Sequence, residues 1–386
     1  MAAIPASMAH RDRGGLAVAL IALVLLAGLG AAYYMEEHGH VVSGMNNQVV
    51  WGLPHVFAFF LIVSASGALN VASIASVFGE KAYKPLAPLS VLMAVALLAG
   101  GLMILVLDLG RPERLLVAVT NYNFRSIFAW NMQLYTGLFA IGALYLWVLL
   151  ERRFNRFARP VGMLAFAWRV VLTTATGSVL GFLVARQAFG TAVLAPLFIA
   201  LSLAWGLAAF WIGQVALARG PVDDAFARRI GRLLGLFLIV VLWLVAVYHG
   251  TNLYWARQDA FERFILVDGA PYAQLFWGGF VLVGCAVPLA LVYHPRLASP
   301  RSTLLACALA IVGAIAFVYV LLIGAQAYPM EIFPGYAARS DFGDGRIDPY
   351  VPRLPELLLG LGGIAAAALI TVIGTRVFPI LPREGR

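Results

Sequence analysis

The sequence predicts an all-α integral membrane protein of about ten transmembrane helices. The helices are expected as two four-helix bundles, spans 2–5 and 6–9, with two flanking helices and both chain ends in the cytoplasm. Three observations carry this expectation. Of the 386 residues, 62% are apolar and 12% charged, against roughly 45–50% and about 25% in a soluble domain. The apolar residues fall in continuous runs of about 20, the length a helix needs to cross roughly 30 Å of hydrocarbon. They do not alternate, as strands of a barrel would. Finally, the basic residues collect in every second loop.

In chain order the runs are Leu16 to Tyr33, Trp51 to Val77, Leu86 to Leu107, Ile127 to Leu150 and Trp168 to Phe189. Leu194 to Leu217, Leu233 to Trp255, Ala273 to His294, Leu304 to Gln326 and Leu357 to Val377 follow. With the N-terminus inside, the cytoplasmic face gathers 18 basic residues against 9 outside, while 12 of the 18 acidic residues lie outside. That asymmetry is the positive-inside bias of polytopic proteins, and a miscount of one span would scramble it. The chain therefore divides into a tail, flanking helix and first external loop (1–50), a first bundle (51–190), a second bundle (191–326), and an external loop with the last flanking helix (327–386). The loop Ala327 to Glu356, rich in Pro, Gly, Asp and Arg, reads equally as a docking surface or a solvated connector.

A net charge of +9 and a pI near 9.8 would suit a nucleic-acid binder, but placement in short loops assigns the basic residues to orientation and excludes that class. Cys285 and Cys307 both sit in apolar runs and provide neither a disulfide framework nor a haem-attachment or metal-cluster motif. The first run is too long for a signal-peptide core, so a cleaved leader is not expected.

Ionisable and polar groups at membrane depth mark function by default. Of six histidines, His10, His38, His40 and His294 fall in tails, loops or helix ends, whereas His55 and His249 lie just inside spans 2 and 7, near the external face. The same face holds Asp108 at the end of span 3, Asn131 and Tyr135 in the first turns of span 4, Arg186 and Gln187 at the end of span 5, Tyr248 and Asn252 around His249, and Gln326. A histidine with an acidic neighbour can hydrogen-bond a quinone oxygen and exchange its proton near neutral pH. Along span 2, Ser66, Asn70 and Ser73 lie within about 60° of His55 at 100° per residue. They read either as a proton path or, more commonly for small polar residues, as helix-packing positions.

The segment Trp51-Gly52-Leu53-Pro54-His55, the run Asp108-Leu109-Gly110-Arg111-Pro112-Glu113-Arg114 after a span, and Asn123-Phe124-Arg125-Ser126 leading into Trp130-Asn131 together resemble the NrfD/PsrC family, the membrane subunits of polysulfide reductase and related complexes. Ten spans are similar to the longer branch with HybB and ActC. The first external loop and the Phe124-to-Tyr135 stretch look most like DsrP, from the membrane complex associated with dissimilatory sulfite reductase. The resemblance is dense over the first 150 residues and is one of topology thereafter.

It implies a quinone-binding membrane anchor in the bacterial inner membrane, with menaquinone or ubiquinone as substrate and no covalently bound cofactor. Electrons would pass to or from a periplasmic ferredoxin-like 4Fe-4S subunit, within a larger redox complex that has room for a cytochrome c. The implied site is His55 and Asp108 as catalytic pair, with Asn131 and Tyr135 completing the quinone pocket. Three other readings stay open: an Asp108–Arg111 or Asp108–Arg114 ion pair, a b-type haem between His55 and His249, and a secondary transporter, for which paired broken helices are lacking.

Overall fold

The computed structural model describes residues 6–218, 220, 223–330 and 345–381, with side chains from residue 14 onward. Residues 331–344 of the 327–356 loop considered as a docking surface, and the side chain of His10, lie outside what is described. Among the described residues ten helices are long and apolar enough to cross a membrane: α1 (Gly14–His38), α2 (Leu53–Ser76), α3 (Ala87–Leu107), α4 (Ile127–Leu150), α5 (Ala158–Gly181), α6 (Leu194–Leu217), α7 (Asp224–Tyr254), α8 (Tyr272–Tyr293), α9 (Pro300–Ala327) and α10 (Leu354–Val377). Among the described residues there is no strand.

Around the first group, α2 packs on α3 and α5, α3 on α4, and α4 on α5. Around the second, α6 packs on α7 and α9, and α8 on α7 and α9. The groups join through α2 and α5 against α6, and α1 pairs with α10, which lies on α2 and α3. Helix α2 thus has neighbours nearly all round, which is why it is buried along most of its length. Peripheral helices instead expose large apolar side chains, such as Leu20, Leu23 and Leu26 on α1 and Ile239 and Trp243 on α7. Such a band would be a liability in water and is the lipid-facing surface of a membrane protein.

Lipid gives helices no hydrophobic reason to associate, so close backbone approach and dispersion must do it. The crossing of α2 and α6 depends on this. A Cβ on Gly67 would lie 1.6 Å from the Ser202 carbonyl oxygen, and one on Gly206 would lie 2.3 Å from the Ala68 nitrogen. Backbone occupies both places, so no rotamer change relieves the clash.

Two boundaries differ from the sequence expectation. The fifth span begins at Ala158 rather than Trp168 and ends at Gly181, because Arg159, Pro160 and Arg169 lower the hydropathy of a stretch that still folds as helix. Arg169, which falls in the first turn of the expected span, is consequently buried mid-helix. The seventh span starts at Asp224 rather than Leu233, where Asp223 caps the helix by accepting from Phe226 N at 2.9 Å.

The end of the molecule that carries His55 and His249 is fastened by a polar strap. Gln326, closing α9, accepts from Val50 N and Trp51 N and donates to Trp51 O, each at 3.0 Å. Gln48 donates to Ala327 O and Arg346 O at 2.9 Å, and Arg186 donates to Gln48 O at 2.8 Å. Buried Glu356 accepts from Gly44 N, Arg353 N and the Tyr350 hydroxyl, which in turn accepts from Leu53 N at 2.8 Å. Residues 44–53 are thereby held from both helix groups immediately before His55.

Replacing Gly67 by Ala should separate α2 from α6 and cost roughly 1–3 kcal/mol by overpacking, read as a lowered thermal midpoint in detergent; an unchanged midpoint would contradict the close crossing.

Candidate functional site

Helix α2 opens with Gly52 as N-cap and Pro54 in its first turn, where the missing N–H costs nothing. His55 follows, its N–H bonded to Gly52 O at 3.1 Å, so the strap sets its position. Helix α3 closes on Asp108 as C-cap, its N–H bonded to Ile104 O. The next residues cannot continue the helix. Arg111 leaves the helical region ahead of Pro112, as the residue before a proline prefers to do, and Pro112–Arg114 forms one tight turn. The Asp-Leu-Gly-Arg-Pro run is therefore a helix stop that leaves a carboxylate at the end of a span.

That carboxylate is wholly buried, and Asp108 Oδ2 lies 2.9 Å from His55 Nδ1. A second ring approaches from the first loop: His40 Nε2 is 3.0 Å from the Asp108 carbonyl oxygen and 3.6 Å from Oδ1. The C-terminal end of a helix disfavours a negative charge, so these two imidazoles are the compensation available among the described residues. Neither carboxylate oxygen receives a well-aligned hydrogen bond, which leaves acceptor capacity for a donor from outside. Trp51 lies in stacked orientation beside His55, ring centroids 6.1 Å apart, and Phe128 of α4 approaches Trp51 in turn. An open depression of about 380 Å³ lies on the His40 side of Asp108, bordered by His40, Met45, Asn46, Val50, Asp108 and Gly110; ligand clefts start near this size.

The other residues singled out above occupy different places. Asn131 is buried, donating to Ile127 O and Ala175 O and accepting from Thr176. Tyr135, one turn further along, is hydrogen-bonded to Thr176. Both are thus engaged with α5, and no described hydrogen bond joins them to His55 or Asp108. Ser66 meets Thr173 and the Arg169 carbonyl, and Asn70 accepts from Arg169 Nη2 at 2.8 Å. Ser73 bonds back to Leu69 O within its own helix. The described ion pairs of Asp108 are with histidine, not with Arg111 or Arg114. His55 and His249 face different carboxylates, Asp108 and Glu262.

Three residues of this chemistry escaped the sequence reading. His40 passed as a loop histidine because nothing in the sequence brings its loop back to Asp108. Arg169 is buried with Nε and Nη1 unpartnered and its guanidinium 4.7 Å from the Phe166 ring. Glu262 looked like one of several charges in a connecting loop.

A family model described as "Polysulphide reductase, NrfD" matches residues 41–330. The chain belongs to the NrfD family. It is 28% identical over 373 residues to the Hdr-like menaquinol oxidoreductase integral membrane subunit of Archaeoglobus fulgidus, covering 95% of this chain and 93% of that protein. It is 29% identical to a protein of Halobacterium salinarum assigned provisionally as a membrane subunit of dimethyl sulfoxide reductase, over 95% of this chain and 91% of the other. A polysulfide reductase chain of Wolinella succinogenes is 22% identical over 64% of this protein and 83% of its own length. As an NrfD protein the chain is a multi-pass integral membrane protein, and the helix-stop motif at Asp108 lies within the matched region.

The histidine–carboxylate contact has a definite pH signature. The Asp108 side chain raises His40 above its ordinary 6.5, against the opposing effect of partial burial. For Asp108, burial pulls upward, but His40 and His55 outweigh it and hold the carboxyl below its ordinary 3.8. A raised histidine contributes stability in full below its unfolded value and loses it as pH climbs through the folded one; a depressed carboxylate contributes above its unfolded value and loses it as pH falls through the folded one. The contact is therefore strongest from about pH 4 to about pH 6.5 and weakens above. Between about pH 6.5 and pH 8 the thermal midpoint of the wild type should fall more steeply than that of His40→Ala; parallel curves would show that the contact carries no titrating charge.

Proposed function

We propose that this chain is the quinone-binding membrane anchor of a respiratory oxidoreductase complex. In this reading it passes electrons between the membrane quinone pool and a periplasmic iron–sulfur subunit, in the metabolism of a sulfur compound. The observation that carries the proposal is the His55–Asp108 pair: a partly exposed imidazole backed by a buried carboxylate, beside an open depression and a Trp51 ring at the edge of a membrane bundle. The names of the relatives, a menaquinol oxidoreductase subunit and a polysulfide reductase chain among them, support the substrate class.

Because Nδ1 of His55 faces Asp108, Nε2 is the nitrogen left to meet a quinone oxygen. Oxidation of a quinol releases two electrons and two protons. His55 takes one proton at Nε2, Asp108 stabilises the resulting imidazolium without itself being protonated, and the second proton passes to solvent water; quinone reduction runs the same steps backwards. The electrons leave through the partner subunit. Trp51 and Phe128 offer aromatic faces against which a flat ring can lie. Ser66 and Asn70, both tied to α5, and Ser73 mark a candidate proton route from the opposite face, one that the Arg169 cation beside Asn70 disfavours.

Removing a positioned acid–base group typically costs 10²–10⁴-fold. His55→Ala should therefore lower quinol-linked turnover of the assembled complex by about 10²-fold or more, while the subunit still inserts and assembles. Asp108→Asn should lower it less, since the ring survives. Wild-type turnover in a properly assembled His55→Ala complex would overturn the assignment.

A further inference from the structure

The second helix group contains a carboxylate buried as completely as Asp108. Glu262, on the short helix Asp259–Arg263 after α7, has no exposed surface. Its Oε2 lies 2.6 Å from His249 Nδ1, and its Oε1 accepts from Asn252 Nδ2 at 2.7 Å. The His249 ring is wedged edge-on between Tyr248 and Phe276, with centroids 4.8 and 4.9 Å away.

The surroundings are unusual in a second way. A cavity of about 10 Å³ adjoins the ring, with Tyr248, Phe261, Ile265, Phe276 and Phe317 in its wall. That is roughly the room one water molecule needs. All three π-helical segments among the described residues meet here: Phe264–Asp268 contributes Ile265, Leu275–Ala286 contributes Phe276, and Val320–Gly324 contributes Val320 and Leu321. Widened helical turns are rare and concentrate at functional sites. Their convergence on one histidine–carboxylate pair is not a packing necessity of an apolar bundle.

The protein supplies its own comparison. Glu356 is equally buried, but its partners are two backbone N–H groups, from Gly44 and Arg353, and the Tyr350 hydroxyl. None of these exchanges a proton near neutral pH, so Glu356 is a fixed fastening. Glu262 has instead an imidazole, the one side chain whose ordinary titration falls there. Titratable groups on the elements packed around it include Tyr248 on α7, whose hydroxyl donates to Ala188 O, Tyr272 on α8, Tyr319 on α9, Tyr328 against Phe261, and Asp259 and Arg263 on the short helix, the last paired with Asp268.

We propose that His249 and Glu262 form a second proton-exchanging site, which holds one proton between imidazole and carboxylate and passes it through a single water in the adjoining cavity. Uptake of one proton converts neutral imidazole and carboxylate into an imidazolium–carboxylate pair; release reverses this, and no electron moves. The site is separate from the His55–Asp108 pair and does not rest on the quinone reading.

The test is an infrared pH-difference spectrum of the full chain reconstituted in phospholipid vesicles, without quinone. A carboxylate–imidazole signal that titrates between about pH 5 and pH 8 is expected. Its Glu262-dependent part should be lost in Glu262→Gln, a replacement that keeps the oxygen accepting from Asn252, and equally in His249→Gln, which gives the reading if the first variant fails to fold. Glu356→Gln should leave it intact, and His55→Ala should leave the Glu262-dependent part in place. A difference spectrum unchanged in both variants of the pair, no titrating signal in the wild type, or its loss in Glu356→Gln would each overturn the proposal.

Discussion

Lipid offers no hydrogen bonds, and that constraint governs this molecule from backbone to site. Every polar group that leaves water must find its partner inside the chain. Helices satisfy the backbone; the side chains are satisfied by drawing polar residues towards one end, where loops can fold back over them. Gln48, Arg186, Gln326, Tyr350 and Glu356 are all used in this way. They join α2, α9 and α10 to the 44–53 segment through bonds of 2.6–3.1 Å. The strap is thus a consequence of the solvent before it is a feature of the site.

Its effect on the site is positional. His55 stands two residues beyond Leu53, whose N–H is bonded to Tyr350, and His40 stands four residues before Gly44, whose N–H is bonded to Glu356. Two histidines from different segments can meet one carboxylate only if those segments are fixed with respect to α3. The Asp-Leu-Gly-Arg-Pro stop fixes the third party by ending α3 where the carboxylate is still covered. Sequence spacing, helix capping and loop hydrogen bonds therefore act together on a contact of 2.9 Å.

Hydropathy made the ten spans legible, because the membrane imposes length and composition on each one independently of its neighbours. The His55–Asp108 pairing was legible too, since a histidine at one helix start and an aspartate at an adjacent helix end must lie at the same depth. His40, Arg169 and Glu262 were not. His40 and Glu262 sit in connecting segments, whose return path depends on long-range bonds that no local pattern records. Arg169 was legible only as a cation in the first turn of the fifth span, and only the packing of Asn70 and Phe166 against it shows how the helix buries it. Asn131 and Tyr135 lie at the right depth on α4, but depth does not say which way a side chain turns, and theirs meet α5.

The position of Arg169 also bears on how protons reach His55. A guanidinium fixed beside Asn70 and near the Ser66–Thr173 contact puts positive charge next to the polar stripe of α2. Positive charge on a narrow passage raises the energy of a hydronium ion there, as it does in pores that exclude protons. Passage along the stripe therefore requires hydroxyl-to-hydroxyl transfer past a standing cation. Exchange in the other direction meets no such obstacle: the His55 ring is partly exposed, and the open depression beside Asp108 leads to the near face. The electrostatics of the first bundle thus favour a histidine that trades protons with the side on which it sits, while Arg169 and its partners hold α5 against α2.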